Sequence, residues 1–306
     1  MLLYPQYWGW RLCGVAASEV TSLGCHTHLW APGRGGFSTL AVERGWDRLF
    51  PRRVDAWEVL GTVTAEVAER TGLDPACRVH AGIHDSNASY LIHRLARDEG
   101  PFAVVSTGTW VVCMAHGSPL ERLREELDML ANVDALGEPV ACMRFQGGRE
   151  YAALAGEAGL DEQPDDADLL GAVAAGTLAL PAFSDQGGPF ATRRGEVVPE
   201  LPPAPRARAA IACLYSALMI DLGLDLLGAR GEVVVEGRMA RNAALMRSLA
   251  SLRAPQVCRV SDDPTGTVRG AAALARWGER PAAPVATLVQ PLPGEALTTH
   301  RDAWRA

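Results

Sequence analysis

The chain has 306 residues, 48% of them hydrophobic and 21% charged, and a net charge of −7, which suits a soluble globular protein with enough chain for two modest domains or one large one. The acidic balance gives no electrostatic reason to expect nucleic acid or an anionic membrane as partner. Seven scattered cysteines with no C-x-x-C pair signal neither a zinc knuckle nor a redox couple and read as reduced, buried small hydrophobes.

No apolar run reaches the length a bilayer demands, and the opening Met-Leu-Leu-Tyr-Pro lacks the layout of a signal peptide, so a cytoplasmic chain is expected. Residues 1–30 are rich in aromatic and apolar side chains (Tyr4, Tyr7, Trp8, Trp10, Leu12, Trp30) and read as the middle of a core rather than a frayed terminus. Residues 31–38 form a glycine- and proline-rich loop. A short helix over 64–71 stops at Gly72. Arg78 to Ile83 is a strand ending at His84-Asp85, and residues 87–97 repeat apolar side chains at helical spacing.

Asp98-Glu99-Gly100-Pro101 marks a domain boundary. Beyond it, Phe102–Val105 and Trp110–Met114 make a hairpin around the Ser106-Thr107-Gly108-Thr109 turn. A linker carrying four prolines covers 199–205, and a long helix follows from Arg206 to Leu227. Residues 231–235 are a strand, 242–252 a helix, and 265–277 a small-residue helix suited to close packing. The proline-rich tail is expected to be irregular. Alternating strands and helices predict an α/β fold, with hairpins that argue against a purely doubly wound sheet.

No P-loop, dinucleotide fingerprint or nucleophile elbow is present. Three other segments can carry chemistry. Asp85 stands past the end of a strand and ahead of a helix, where α/β folds present catalytic groups. It can take a proton from an attacking hydroxyl, or Asp85 or Ser86 can simply cap the helix. His80 and His84 are denied one helical face by Gly82, so no metal pair is expected, and His84 reads as a pocket wall or a satisfied core residue. The Ser106–Thr109 turn can offer backbone N–H groups to an anion, or be an ordinary turn. Val235 to Asn242 is a strand, a glycine and a helix, a layout that can seat a nucleotide at a helix N-terminus or be a plain connection.

In this order the segments resemble the FGGY carbohydrate kinases of the actin/hexokinase-like ATPase superfamily. Gly82-Ile83-His84-Asp85 is similar to the family's G-x-x-D motif, and Val105 to Trp110 to its second phosphate hairpin, S-x-G-T-[SW]. Val234 to Asn242 is similar to the adenosine motif, and Val268 to Ala272 to the G-A-A helix. Upstream, Tyr4 to Gly14 resembles a P-x-x-Y-x-x-x-R-L-T-G stretch, Glu19 to Ser22 a T-D-x-S segment, and Leu60–Val63 with Thr71–Leu73 the run before the catalytic aspartate.

The resemblance implies an α/β, ribonuclease H-like (actin-like ATPase) fold with an incomplete first lobe and a complete C-terminal lobe. The expected domains are a remnant of the N-terminal domain over 1–98, the C-terminal domain over 99–285 and an irregular tail over 286–306. It implies ATP-dependent phosphorylation of a small ketose or deoxy-ketose such as rhamnulose, fuculose or xylulose, requiring a missing N-terminal half, with ATP and Mg²⁺ as cofactors. Asp85 is then the base, and His84 and Ser86 contact the sugar. Thr107, Gly108 and Thr109 hold phosphate, while Gly237, Arg241, Asn242 and Gly270 bind the nucleotide.

Two departures stand out. No D-x-G-[ST] hairpin for Mg²⁺ and phosphates occurs, and Arg238 replaces a second glycine common in the adenosine motif. The expected partners are therefore a sugar, a nucleotide, and a separate N-terminal half or a second copy of the chain. A catalytically inactive remnant serving as a binding module, and an unrelated α/β enzyme, remain as alternatives.

Overall fold

Capping chemistry marks where the helices begin and end. In the computed structural model, which describes residues 1–25, 27–261, 263 and 265–306, the helix Ala65–Thr71 starts at Thr64, whose hydroxyl accepts the Val67 N–H, and stops at Gly72 in the left-handed region. Pro205 opens the helix Pro205–Leu227 within its first turn and Gly228 closes it.

The chain clusters into two units. Unit 1 holds Met1–Glu99, Ala131–Val140 and Thr265–Pro284, and unit 2 holds Gly100–Leu130, Ala141–Pro264 and Val285–Ala306. In unit 1 the helices Asp85–Ala96 and Gly266–Ala275 lie against each other. The small residues of the second permit the approach: a Cβ on Gly270 would collide with the carbonyl of Ala88. Ile83, Ala88, Leu91, Ala135 and Leu274 are buried together, and Trp57 stacks on Trp277 with ring centroids 3.7 Å apart. The opening residues form the helix Tyr4–Cys13, and its aromatic side chains do not enter a core: Tyr4 is 76% and Trp8 50% exposed, while Gln6 and Gly9 face inward.

Most of unit 2's strands belong to a mixed seven-stranded sheet in the order Ala286–Leu288, Cys258–Ser261, Glu232–Gly237, Phe102–Thr107, Val111–His116, Pro139–Phe145, Met129–Val133. The hairpin expected from the sequence is present, with longer strands, and the connection narrows to residues 108–110. Glu232–Gly237 runs parallel to Phe102–Thr107 in a register that sets Gly237 beside Thr107. That pairing brings two segments far apart in sequence to one end of the sheet, where α/β folds bind ligands.

The helix Pro205–Leu227 is apolar around most of its circumference, which is the pattern of a core helix rather than a surface one. The sequence reading found no run able to span a bilayer. By length and composition this 23-residue helix does qualify, yet 83% of its most apolar window is buried. It packs on the helices Gly147–Ala155 and Ala243–Arg253.

The tail corrects the expectation of irregularity. Ala286–Leu288 extends the sheet, and Ala296–Arg305 is a helix that buries Leu297, His300 and Trp304. Proline content biased the reading towards loop, whereas three inward side chains at helical spacing supply enough burial to order the segment.

Candidate active site

In unit 2 the turn after Phe102–Thr107 and the start of the helix Gly147–Ala155 come into contact. The Gly148 N–H donates to Thr109 O at 3.2 Å, and a Cβ on Gly148 would lie 2.5 Å from Gly108 O. Only glycine lets the helix N-terminus come so close to the turn. Beside them, Gly237 has φ +92° and a Cβ there would strike the Thr107 carbonyl, so the strand can end at the turn only because position 237 has no side chain.

The Thr107 side chain ties these pieces together and is not on offer to a ligand. Its hydroxyl donates to Glu236 O at 2.6 Å and accepts from the Met239 N–H at 3.1 Å, and the residue is buried. Gly108 and Thr109 instead line a cavity of about 790 Å³ together with Arg149, Tyr151, Arg238, Met239, Arg241 and Asn242. Asn242 caps the helix Ala243–Arg253 by accepting the Leu245 N–H at 3.1 Å, and its Nδ2 donates to the Tyr151 hydroxyl at 3.3 Å. Burial holds the Tyr151 phenol well above its ordinary range. Gly237 is exposed at the end of its strand.

Unit 1 carries the other candidates. His84 is the N-cap residue of Asp85–Ala96 without a side-chain capping bond, and Asp85 is the first helical residue. The Asp85 carboxylate is 77% exposed, with Oδ1 3.2 Å from His84 Nδ1 and accepting the Ser86 N–H at 2.6 Å. Asp85 thus satisfies one first-turn donor and still presents its carboxylate to solvent. His84 and Asp85 line a cavity of about 510 Å³ with Leu3, Tyr4, Trp8, Ser22, Thr27 and Ile83. Ser86 is half-buried and does not line it, its hydroxyl 3.3 Å from Asp85 Oδ1. Gly270, grouped with the nucleotide residues on the sequence, is buried in unit 1 against Ala88.

Next to Ser22 on the unit 1 cavity wall lies a second carboxylate, from the segment similar to T-D-x-S, to which no role was assigned. Glu19 is fully buried and accepts the N–H and hydroxyl groups of Thr21 (2.9 and 2.6 Å) and Ser22 (3.1 and 3.2 Å). Burial raises its pKa, and those bonds oppose the rise. Thr21 Oγ1 also accepts the His84 N–H at 3.0 Å, which fixes the residue preceding Asp85. On the other unit, Gly148, Arg149 and Tyr151 were missed as well. The Gly147-Gly148 pair ahead of a helix was the available signal.

Residues 99–283, well over half of the 306, match the model for the C-terminal domain of the carbohydrate kinase FGGY family. A solved carbohydrate kinase from Novosphingobium aromaticivorans shares 38% identity over 99% of this chain and 68% of its own, with a TM-score of 0.88. The chain belongs to the FGGY carbohydrate kinase family. A xylulose kinase from Rhodospirillum rubrum (19% identity, 98% of this chain, 65% of its own, TM-score 0.72) and a glycerol kinase from Plasmodium falciparum solved with ADP (13%, 98%, 64%, 0.70) share the fold. It is the actin-like ATPase fold, and this FGGY chain spans about two thirds of each of these relatives. No curated protein matches it.

Proposed function

We propose that the chain carries the acceptor and donor sites of an ATP-dependent sugar kinase, with Asp85 as general base. The carboxylate takes the proton of a sugar hydroxyl, that oxygen bonds to the γ-phosphorus, and the bond from phosphorus to the bridging oxygen breaks to leave ADP. The observation that carries the reading is an exposed carboxylate heading a helix on the wall of a unit 1 cavity, in a member of a carbohydrate kinase family.

His84 forms the polar wall for a small ketose or deoxy-ketose, and Ser86 steadies the Asp85 carboxylate. In unit 2, Gly108 and Thr109 receive the γ-phosphate with Thr107 bracing the turn from behind, and Gly237, Arg241 and Asn242 seat the nucleotide. Gly270 contributes by letting its helix close on the Asp85 helix. Among the described residues no three His, Cys, Asp or Glu side chains gather into a metal cage. The side chains therefore do not fit a dedicated magnesium site, and no step here runs through the ion. Mg²⁺ of this class travels on the phosphates of the donor with its own waters. The reading places the chain in the cytoplasm, where ATP and small sugars are both present.

The test is sugar-dependent ADP release across a panel of ketoses and deoxy-ketoses, with Asp85→Asn as control. Turnover with one sugar class is expected, falling at least about 100-fold in Asp85→Asn, the scale of a lost general base. Undiminished turnover in the variant sinks the assignment. ATP binding with no turnover on any sugar, even when an N-terminal half of the family is supplied, would favour the binding module instead.

A further inference from the structure

Several arginines in unit 2 are paired with acids. Arg206, Arg247, Arg253, Arg259 and Arg305 each sit against a carboxylate. The cavity beside the Gly108-Thr109 turn gathers others. Arg149, Arg238 and Arg241 all line it, against a single carboxylate, Asp161. Among the described residues neither Arg149 nor Arg238 has an acidic partner. In a chain of net charge −7, Arg149 and Arg238 put two guanidinium groups without an acidic partner around one hollow, a positive local field.

Their positions also run against local electrostatics. Arg149 lies in the first turn of Gly147–Ala155, where the helix dipole is positive and a cation is unfavourable. The acid in that turn, Glu150, is buried and bonded to the Tyr215 hydroxyl, so it cannot offset Arg149 at the surface. Arg238 and Arg241 precede the N-terminus of Ala243–Arg253, whose first turn holds no acid. A sequence that breaks the local rule at several neighbouring positions is compensated by something else, and here the compensation must be anionic.

Resting on the reading of this cavity as the donor site, we propose that Arg149 and Arg238 grip the phosphate chain of the phosphoryl donor. Affinity here is then set by the number of phosphates more than by the base. Both are specificity-determining residues: guanidinium groups bind phosphate oxygens through paired N–H bonds that a nucleoside cannot supply.

Calorimetric titration of the full chain with ATP, ADP, adenosine and tripolyphosphate tests this, using Arg149→Ala, Arg238→Ala and Arg238→Lys. Wild type is expected to bind in the order ATP, ADP, adenosine. Each alanine variant should lose about tenfold or more in ATP affinity, the scale of a charge-assisted hydrogen bond. Adenosine affinity should stay within about twofold, and Arg238→Lys should recover part of the loss because lysine keeps the charge. ATP binding indifferent to both alanine substitutions, or ATP and adenosine weakened in parallel, overturns the arginine assignment and leaves the kinase reading standing. Tripolyphosphate binding that depends on the arginines, with no preference for ATP over it, keeps the assignment and removes the nucleotide. Wild type that binds neither ATP nor tripolyphosphate removes both.

Discussion

A buried carboxyl group keeps its proton because the charged form loses its water. Glu19, Asp134, Glu150 and Asp221 all have pKa values raised first by burial. For a carboxyl raised in the folded state, the native chain binds more protons than the unfolded one between the two values, so stability falls as pH rises through that window. For Glu150 the window opens at the ordinary value of 4.5. Urea midpoints of the wild type should therefore fall as pH rises above the ordinary carboxyl range. Glu150→Gln, which keeps an oxygen for the Tyr215 hydroxyl but cannot ionise, should show a shallower fall. An identical slope would assign the effect to the other three groups. None of this burial can be read from residue types. Asp85 and the Gly108-Thr109 turn were legible because short ordered motifs surround them. The engagement of the Thr107 hydroxyl was not, since its partners Glu236 and Met239 lie across a parallel strand pairing between distant segments.

Among the elements, those with strong periodicity or clear stops were foreseen: the helices after Thr64, Pro205 and Asn242 and the hairpin at 102–116. Met129–Val133 and Pro139–Phe145 were not, since Asn132 and Asp134 interrupt their apolar run and both are buried with local hydrogen bonds. The closing helix was also missed. Its inward residues Leu297, His300 and Trp304 follow helical spacing, but the histidine reads as polar until its burial is known. Trp304 is 6% exposed, and its indole N–H donates to Ala179 O at 2.6 Å. Trp304→Ala should cost about 3 kcal/mol or more, as aromatic deletions in cores do, leave Ala179 O without its donor, and lower the urea midpoint accordingly. A change below about 0.5 kcal/mol, the size of a surface substitution, would mean the helix is not docked in solution.

At the scale of the whole molecule, the proposed donor residues belong to unit 2 and the proposed base to unit 1. In hydrogen exchange, ADP should protect segments around 108–109, 148–163 and 238–245, and a bound sugar those around 22–27 and 83–85. Asp85→Asn should keep its nucleotide affinity. ADP protection confined to the sugar segments would reverse the assignment of the two cavities. The sequence boundary near residue 98 separates two stretches of chain, but the return of 131–140 and 265–284 to unit 1 left no mark on composition. Discontinuity of this kind is a property of contacts, and contacts between distant segments are what a linear reading lacks.

That return of the chain has a consequence for biosynthesis. The side chains of Ala88 and Leu91 are buried with Ala135 and Leu274, contributed by the two late segments. Domains emerging from a ribosome generally fold in order, amino-terminal first. Here residues 1–99 are made before the partners that enclose their own helix, so the packing around Ala88 and Leu91 is completed only after translation has passed Leu274.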